Sequence, residues 1–433
     1  MEIEKVFENK RFHLIAGLLI GVLTLLVYSN TFYASFHFDD TPQIVENYKI
    51  RNLGNLPEII RGNRGISIAT FALNYAIGGL NVVGYHIINL TIHVINGILI
   101  YFLIFLTLSR IDLGTDFKSV PNKVRDRAKK IAIYTALLFA VHPIQTQAVT
   151  YIVQRMEILA SMFMLIGILF FIKGAETEKT AKRALFYGVV ALSYLLGFYS
   201  KEIAITLPAL ILLYDYCFLA SGDIKKIAGR LPLYLVLLAM LAFFATRTLT
   251  GLQETPGGSA GFGVQSITAK EYLFTQFNVL VYYITLLLVP INQNLDYDFP
   301  ISKGLFEIPL VKEGTILNYP IPPAIISLII ILAIIGFALY LIIRQHVNPP
   351  SPPLEKGGKG GFLRHSRLIA FFILWFFIIL SPTSSFVPII DVIFEHRLYL
   401  ASAGFFFLFS LGFDSFFDYL DIRKAKTESE KKS

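Results

Sequence analysis

The chain has 433 residues, 55% of them hydrophobic and only 16% charged, with a mean hydropathy of +0.62. That balance excludes an ordinary soluble domain, where roughly 25% of residues are charged. The +8 net charge does not point to nucleic acid, because basic residues gather in short segments between apolar runs, as the positive-inside bias of membrane proteins requires.

In chain order, apolar runs predict spans at about 12–30, 87–107, 131–149, 157–173, 184–199, 203–219, 231–247, 324–343, 367–381 and 399–417. Several are long enough to cross a hydrocarbon core of about 30 Å. The expected fold is therefore all-α and polytopic, with about 10–11 transmembrane helices and both termini cytoplasmic. Residues 66–77 are apolar but short, which predicts a segment lying on the membrane or re-entering it. Residues 273–290 could span, but an extra crossing there would move the basic 349–359 stretch to the outside; they are expected to be partly inserted. The first run is followed by bulky, acidic Phe38-Asp39-Asp40 instead of a small-residue cleavage site, so it reads as a span and not as a cleaved signal. Residues 348–361, rich in Pro and Gly, read as a flexible cytoplasmic linker, and 419–433 as a charged cytoplasmic tail. The rest, 1–418, reads as one transmembrane domain with a long first extracytoplasmic loop at 31–85. The single cysteine, Cys217, reads as a small core hydrophobe.

The polar residues follow a pattern. Asp39 and Asp40 sit just beyond the first span, where two adjacent carboxylates are costly unless they have a partner or a task. Under this topology His142, Arg155 with Glu157, Lys201 with Glu202, and Glu395-His396-Arg397 all fall at outward ends of spans, and Arg64 lies in the first loop. Cations gathered there suit a lipid phosphate. A carboxylate among them suits removal of a proton from a hydroxyl, and the cations suit charge developing on a phosphate leaving group. Against this stand plain interfacial ion pairs for Arg155/Glu157 and Lys201/Glu202, and a helix-capping role for Asp39. His86 and His93, seven residues apart, read as packed histidines; two histidines without a third ligand are weak grounds for a metal.

The segments Phe36-His37-Phe38-Asp39-Asp40, Gly84-Tyr85-His86-Ile87-Ile88-Asn89-Leu90, Leu138 through the His142-Pro143-Ile144-Gln145-Thr146-Gln147 run to Val149, Arg155 with Glu157, Ser200-Lys201-Glu202, and Glu395-His396-Arg397-Leu398-Tyr399-Leu400 occur in one order along the chain. Together they resemble the GT-C class of polyprenyl-phosphate-sugar glycosyltransferases, nearest to the transmembrane and tetratricopeptide-repeat O-mannosyltransferase family and its bacterial relatives. The resemblance implies a GT-C-like fold and inverting transfer of a mannose-like sugar, on the extracytoplasmic face, from a polyprenyl-phosphate donor to a protein Ser/Thr or an envelope glycan or lipid. It implies Asp39 or Asp40 as general base, and position and charge make Arg155, Lys201 and Arg397 the candidate donor-phosphate ligands. His142, Glu157, Glu202, Glu395, His396, Arg64 and His86 would support them. No metal or other cofactor is expected to be required, although adjacent aspartates could hold a divalent ion. Expected partners are the lipid-linked donor, the acceptor and the bilayer, and no nucleic acid; the expected location is a bacterial inner membrane. The relatives' tetratricopeptide array has no counterpart in the sequence, which leaves the acceptor class open and makes a separate repeat-containing protein one candidate partner. Two other readings share the intramembrane charges: a sugar or polyprenyl-lipid flippase, which calls for inverted repeats the sequence does not display, and a noncatalytic scaffold.

Overall fold

The computed structural model describes residues 10–111, 122–253, 259–347 and 366–432. The linker expected at 348–361 lies outside them. The helices in chain order are α1 (Lys10–Val27), α2 (Leu56–Arg61), α3 (Gly65–Gly78), α4 (Val82–Ile111), α5 (Asn122–Val141), α6 (Thr146–Thr150), α7 (Arg155–Glu176), α8 (Thr180–Phe198), α9 (Leu207–Tyr214), α10 (Ile224–Ala228), α11 (Leu231–Gln253), α12 (Ala269–Leu288), α13 (Ala324–Val347), α14 (Ser366–Leu380) and α15 (Leu398–Lys432). Among the described residues there is no strand, only an isolated bridge between Ala260 and Ile389. Among the described residues nine helical segments are long and apolar enough to cross a membrane, and α14 is a shorter apolar helix. The protein is an all-α polytopic integral membrane protein.

Two boundaries differ from the sequence reading. The third span, expected over 131–149, ends at Val141. His142 adopts an extended conformation and Pro143 starts a separate 3₁₀ turn, because the residue before a proline is pushed out of the helical region. The helix also begins earlier, at Asn122. The segment expected at 273–290 is a regular 20-residue helix, α12, opened by a capping box between Thr268 and Glu271. Such a box satisfies orphan amides at both Ncap and N3. Both ends of α12 are tied to one chain segment. Tyr272 donates to the Thr383 carbonyl at 2.5 Å, and Gln276 to that of Val392. Near the other end Tyr283 donates to the Phe394 carbonyl at 2.9 Å, and Gln293, just beyond it, to Glu395. By length and composition α12 is itself one of the segments that could cross a membrane.

Close helix contacts build the core. Gly174 of α7 lies against Tyr187 of α8, where a Cβ would come within 2.5 Å of the ring. Gly404 of α15 leaves a similar gap for the Phe372 carbonyl of α14. Small residues at such crossings let membrane helices approach closely. Trp375, fully buried, donates its indole N–H to the Leu400 carbonyl at 2.9 Å, which fixes α14 on α15.

Candidate functional site

The first loop places its two aspartates differently. Phe38 has φ +44°, a left-handed conformation that costs a bulky residue about 1–3 kcal/mol. The turn it makes sends the two carboxylates apart. Asp40 is buried; its Oδ2 accepts the His37 amide at 3.0 Å and its Oδ1 the Val153 amide at 2.7 Å. It therefore links the loop to the entrance of α7. Burial raises its pKa to about 6, although both amides pull the other way. Asp39 is exposed. Its amide donates to the Tyr151 hydroxyl at 2.8 Å, and no hydrogen bond or ion pair to its carboxylate occurs among the described residues.

The far end of the loop makes a second tight corner. Arg64 has φ +52°, and a Cβ on Gly65 would lie 2.3 Å from the Ile59 carbonyl oxygen, so only glycine fits there. This corner aims Arg64 at Glu202, with Nε 3.1 Å from both carboxylate oxygens and Nη2 3.0 Å from Oε2. The pair stays open to solvent, its side chains 40% and 29% exposed. Glu157 and Asp39 also act on Arg64 electrostatically.

Lys201 precedes Glu202 in the α8–α9 connection. Its ammonium contacts Glu157 Oε2 at 2.9 Å and Gln154 Oε1 at 3.0 Å. Burial lowers its pKa, and Glu157 counters that. Glu157 is buried, and its other oxygen, Oε1, has no hydrogen-bond partner.

Arg155 is fully buried. Nε donates to Asn89 at 2.7 Å, Nη1 to Asn74 at 2.6 Å and to Thr70, and Nη2 to the Tyr85 carbonyl at 3.0 Å. Its guanidinium carbon lies 4.6 Å from the Phe71 ring centroid. The cation thus clamps α3, α4 and α7 together, with all three nitrogens engaged. Arg397, also buried, donates to the carbonyls of Val392 at 3.1 Å and Asp391 at 2.7 Å. Both arginines are turned onto protein oxygens, whereas Arg64 and Lys201 are paired with carboxylates.

The residues before α15 serve as a junction. Glu395 accepts from Gln293, the Asn294 amide and the Tyr297 hydroxyl, which fastens residues 293–297 over the bundle. Gln147 Oε1 accepts the His396 amide at 2.7 Å and lies 3.0 Å from its Nδ1. His396 stacks on Phe394, and Lys201, Arg64 and Arg397 all act on it electrostatically. Asp391 is exposed, with its pKa raised first by partial burial and also by Asp296 and Asp39. Thus the first loop, the start of α7, the α8–α9 connection and residues 391–397 converge.

His86, His93 and His142 bond other partners. His86 Nε2 is 3.0 Å from the Ala34 carbonyl oxygen, and His93 bonds Tyr399 and the Ala140 carbonyl. His142 caps the turn at Pro143 through Nδ1, and burial lowers its pKa to about 4. Among the described residues no group of three or more His, Cys, Asp or Glu is placed to hold a metal ion. Sequence reasoning passed over Tyr151, Asn74, Gln293 and Tyr297. Tyr151 carries a signal, being an aromatic hydroxyl four residues before Arg155; the others sit in segments whose approach to the site depends on tertiary packing.

No family model matches the chain and no solved structure matches it. Curated relatives do. The human protein O-mannosyl-transferase TMTC3 is 27% identical over 223 residues, 47% of this chain and 22% of that protein. The human protein O-mannosyl-transferase TMTC2 is 30% identical over 239 residues, 49% of this chain and 25% of that protein. The Caenorhabditis elegans protein O-mannosyl-transferase F38B6.6 is 24% identical over 307 residues, 67% of this chain and 40% of that protein. The matches cover well under two thirds of these relatives' own length. The chain is related to the protein O-mannosyl-transferases.

Proposed function

We propose that this protein is a membrane glycosyltransferase that moves a mannose-like sugar from a polyprenyl-phosphate donor to a hydroxyl acceptor, a protein Ser/Thr first among the candidates, at the extracytoplasmic membrane face. The relatives' names support the transfer of mannose to protein. The observation that carries the mechanism is the division of labour between the adjacent aspartates: Asp40 has both oxygens engaged by backbone amides, whereas Asp39 presents an exposed carboxylate that acts electrostatically on Arg64.

In this reading Asp39 takes the proton of the acceptor hydroxyl. The acceptor oxygen attacks the anomeric carbon from the face opposite the phosphate. The bond from that carbon to the phosphate oxygen breaks, its electron pair leaves with polyprenyl phosphate, and the anomeric configuration inverts. Arg64 and Lys201 meet the phosphate charge, each held ready by a carboxylate, Glu202 and Glu157. Such preorganised cations act where charge develops in the transition state. Arg155 and Arg397 position the surrounding backbone. The purified protein in lipid, given labelled polyprenyl-phosphate sugars with Ser/Thr peptides and an envelope fraction as acceptors, should form a labelled covalent product whose glycosidic configuration is opposite to that of the donor. Absence of product from every donor and acceptor would reject the reading.

A further inference from the structure

The segment between α12 and α13 exposes apolar side chains where a water-facing loop would carry polar ones. Phe306 is 75% exposed, Ile308 72%, Leu310 83% and Ile316 71%. Single exposed apolar residues are ordinary, but a contiguous group of them marks an interaction surface. This group is built into the fold at both ends. The Ile325 amide at the top of α13 donates to the Leu305 carbonyl at 2.9 Å. On the return, the Asn318 side-chain amide donates to the Val289 carbonyl at 3.3 Å and its backbone amide to the Tyr282 hydroxyl at 3.3 Å. Exposed Glu307, Lys312 and Glu313 lie among them, Lys312 bonding Asp298 at 2.6 Å, so the segment mixes apolar and charged side chains as a headgroup-level segment does.

We infer that residues 305–316 are seated in the lipid leaflet on the side of the candidate site, as an interfacial anchor. The occupant follows from continuity. The loop begins level with the first turn of α13, a membrane span only 22% buried over its apolar window. That helix exposes Ile326, Ile329 and Leu332 to lipid. On the other side lie Leu288 and Val289 at the end of α12, both more than half exposed. Exposed apolar side chains therefore occur in succession along the chain, at the end of α12, in the loop and on the exposed face of α13. Apolar side chains on a surface segment bury themselves at the boundary between headgroups and acyl chains. The same connection reaches the rim, since residues 293–297, just upstream, are fastened to Glu395. Anchoring the loop in lipid thus sets the depth of the site near the headgroup phosphates. The inference stands whether or not the protein transfers sugar.

Spin labelling tests it in the full chain reconstituted into phosphatidylcholine vesicles. Cys217 is 2% exposed, so labels go to Phe306→Cys, Leu310→Cys or Ile316→Cys, with exposed Lys179→Cys as the aqueous reference. At 306, 310 and 316, dissolved oxygen should relax the label more strongly than a water-soluble nickel chelate, the reverse of the order at 179. Nickel access equal to that at 179 would place the loop in water and overturn the inference. An immobilised label reached by neither reagent would also overturn it, by showing that a protein surface, from a partner or a second copy, covers the loop.

Discussion

The two ends of the helix bundle both carry charge, yet they use it differently. At the end predicted to face the cytoplasm, ions are closed upon one another. Asp215, fully buried, takes Arg230 at 2.8 Å and the Tyr234 hydroxyl at 2.6 Å. Asp414, also buried, takes Arg127 at 2.6 Å and Lys130 at 3.2 Å; Arg110 pairs with Glu176. At the other end Asp39 is exposed and unpaired, Arg64 and Glu202 form a solvent-open pair, and Glu157 keeps a buried oxygen without a partner. Ion pairs alone therefore do not mark a site in this protein. What sets the outward end apart is convergence: Arg64 pairs with Glu202 and is acted on by Glu157 and Asp39 as well.

That contrast is breakable by substitution. The largest expected effect is at Arg155, where removal strands the oxygens of Asn74, Asn89 and Tyr85 in a dry interior. Each buried polar group left unsatisfied costs about 1–3 kcal/mol, and here three are left at once. Arg155→Ala should yield little folded protein, and Arg155→Lys should recover only part of it, as judged by thermal unfolding in detergent. Next is the closed cytoplasmic end. Asp215→Ala should lower stability by about 1–3 kcal/mol, the cost of an unsatisfied buried group, while the turnover of the protein that remains folded stays unchanged. Arg64→Ala should do the opposite: thermal stability shifts by less than about 1 kcal/mol, as for exposed pairs, while the KM for the lipid-linked donor rises. An equal loss of stability at Arg64 and Asp215 would erase the distinction between the two ends.

A smaller, pH-dependent effect belongs to Asp40. Its folded pKa of about 6 lies above the ordinary carboxylate value, so the folded state binds the proton more tightly than the unfolded chain does. The resulting stabilisation is complete below about pH 4 and disappears as pH rises through about 6. Thermal unfolding of wild type should show that decline, and Asp40→Asn should flatten it. An identical pH profile in the two proteins would remove Asp40 as its source.

Much of the fold was legible in the sequence because the bilayer imposes a length on each apolar run, and α4, α7 and α13 follow directly from it. The end of α5 was missed because hydropathy does not register that Pro143 drives His142 out of the helix. At the site, the residue types and their convergence on one face were readable from the ordered segments. Individual roles were not. Nothing in Gln154-Arg155-Met156-Glu157 tells that Arg155 turns inward onto Asn74 and Asn89 while Glu157 meets Lys201. Nor does an Asp-Asp pair state which carboxylate is held by amides; that depends on the left-handed turn at Phe38 and on Val153, more than a hundred residues away.

The most direct test of the central claim compares Asp39→Asn with wild type in lipid, measuring sugar transfer, donor binding and thermal unfolding on the same preparations. Asparagine keeps the shape and removes the base. Transfer should fall by about 10²–10⁴-fold, the usual contribution of a positioned general base, with donor binding and unfolding temperature unchanged. Wild-type transfer by Asp39→Asn would contradict the assignment of the base.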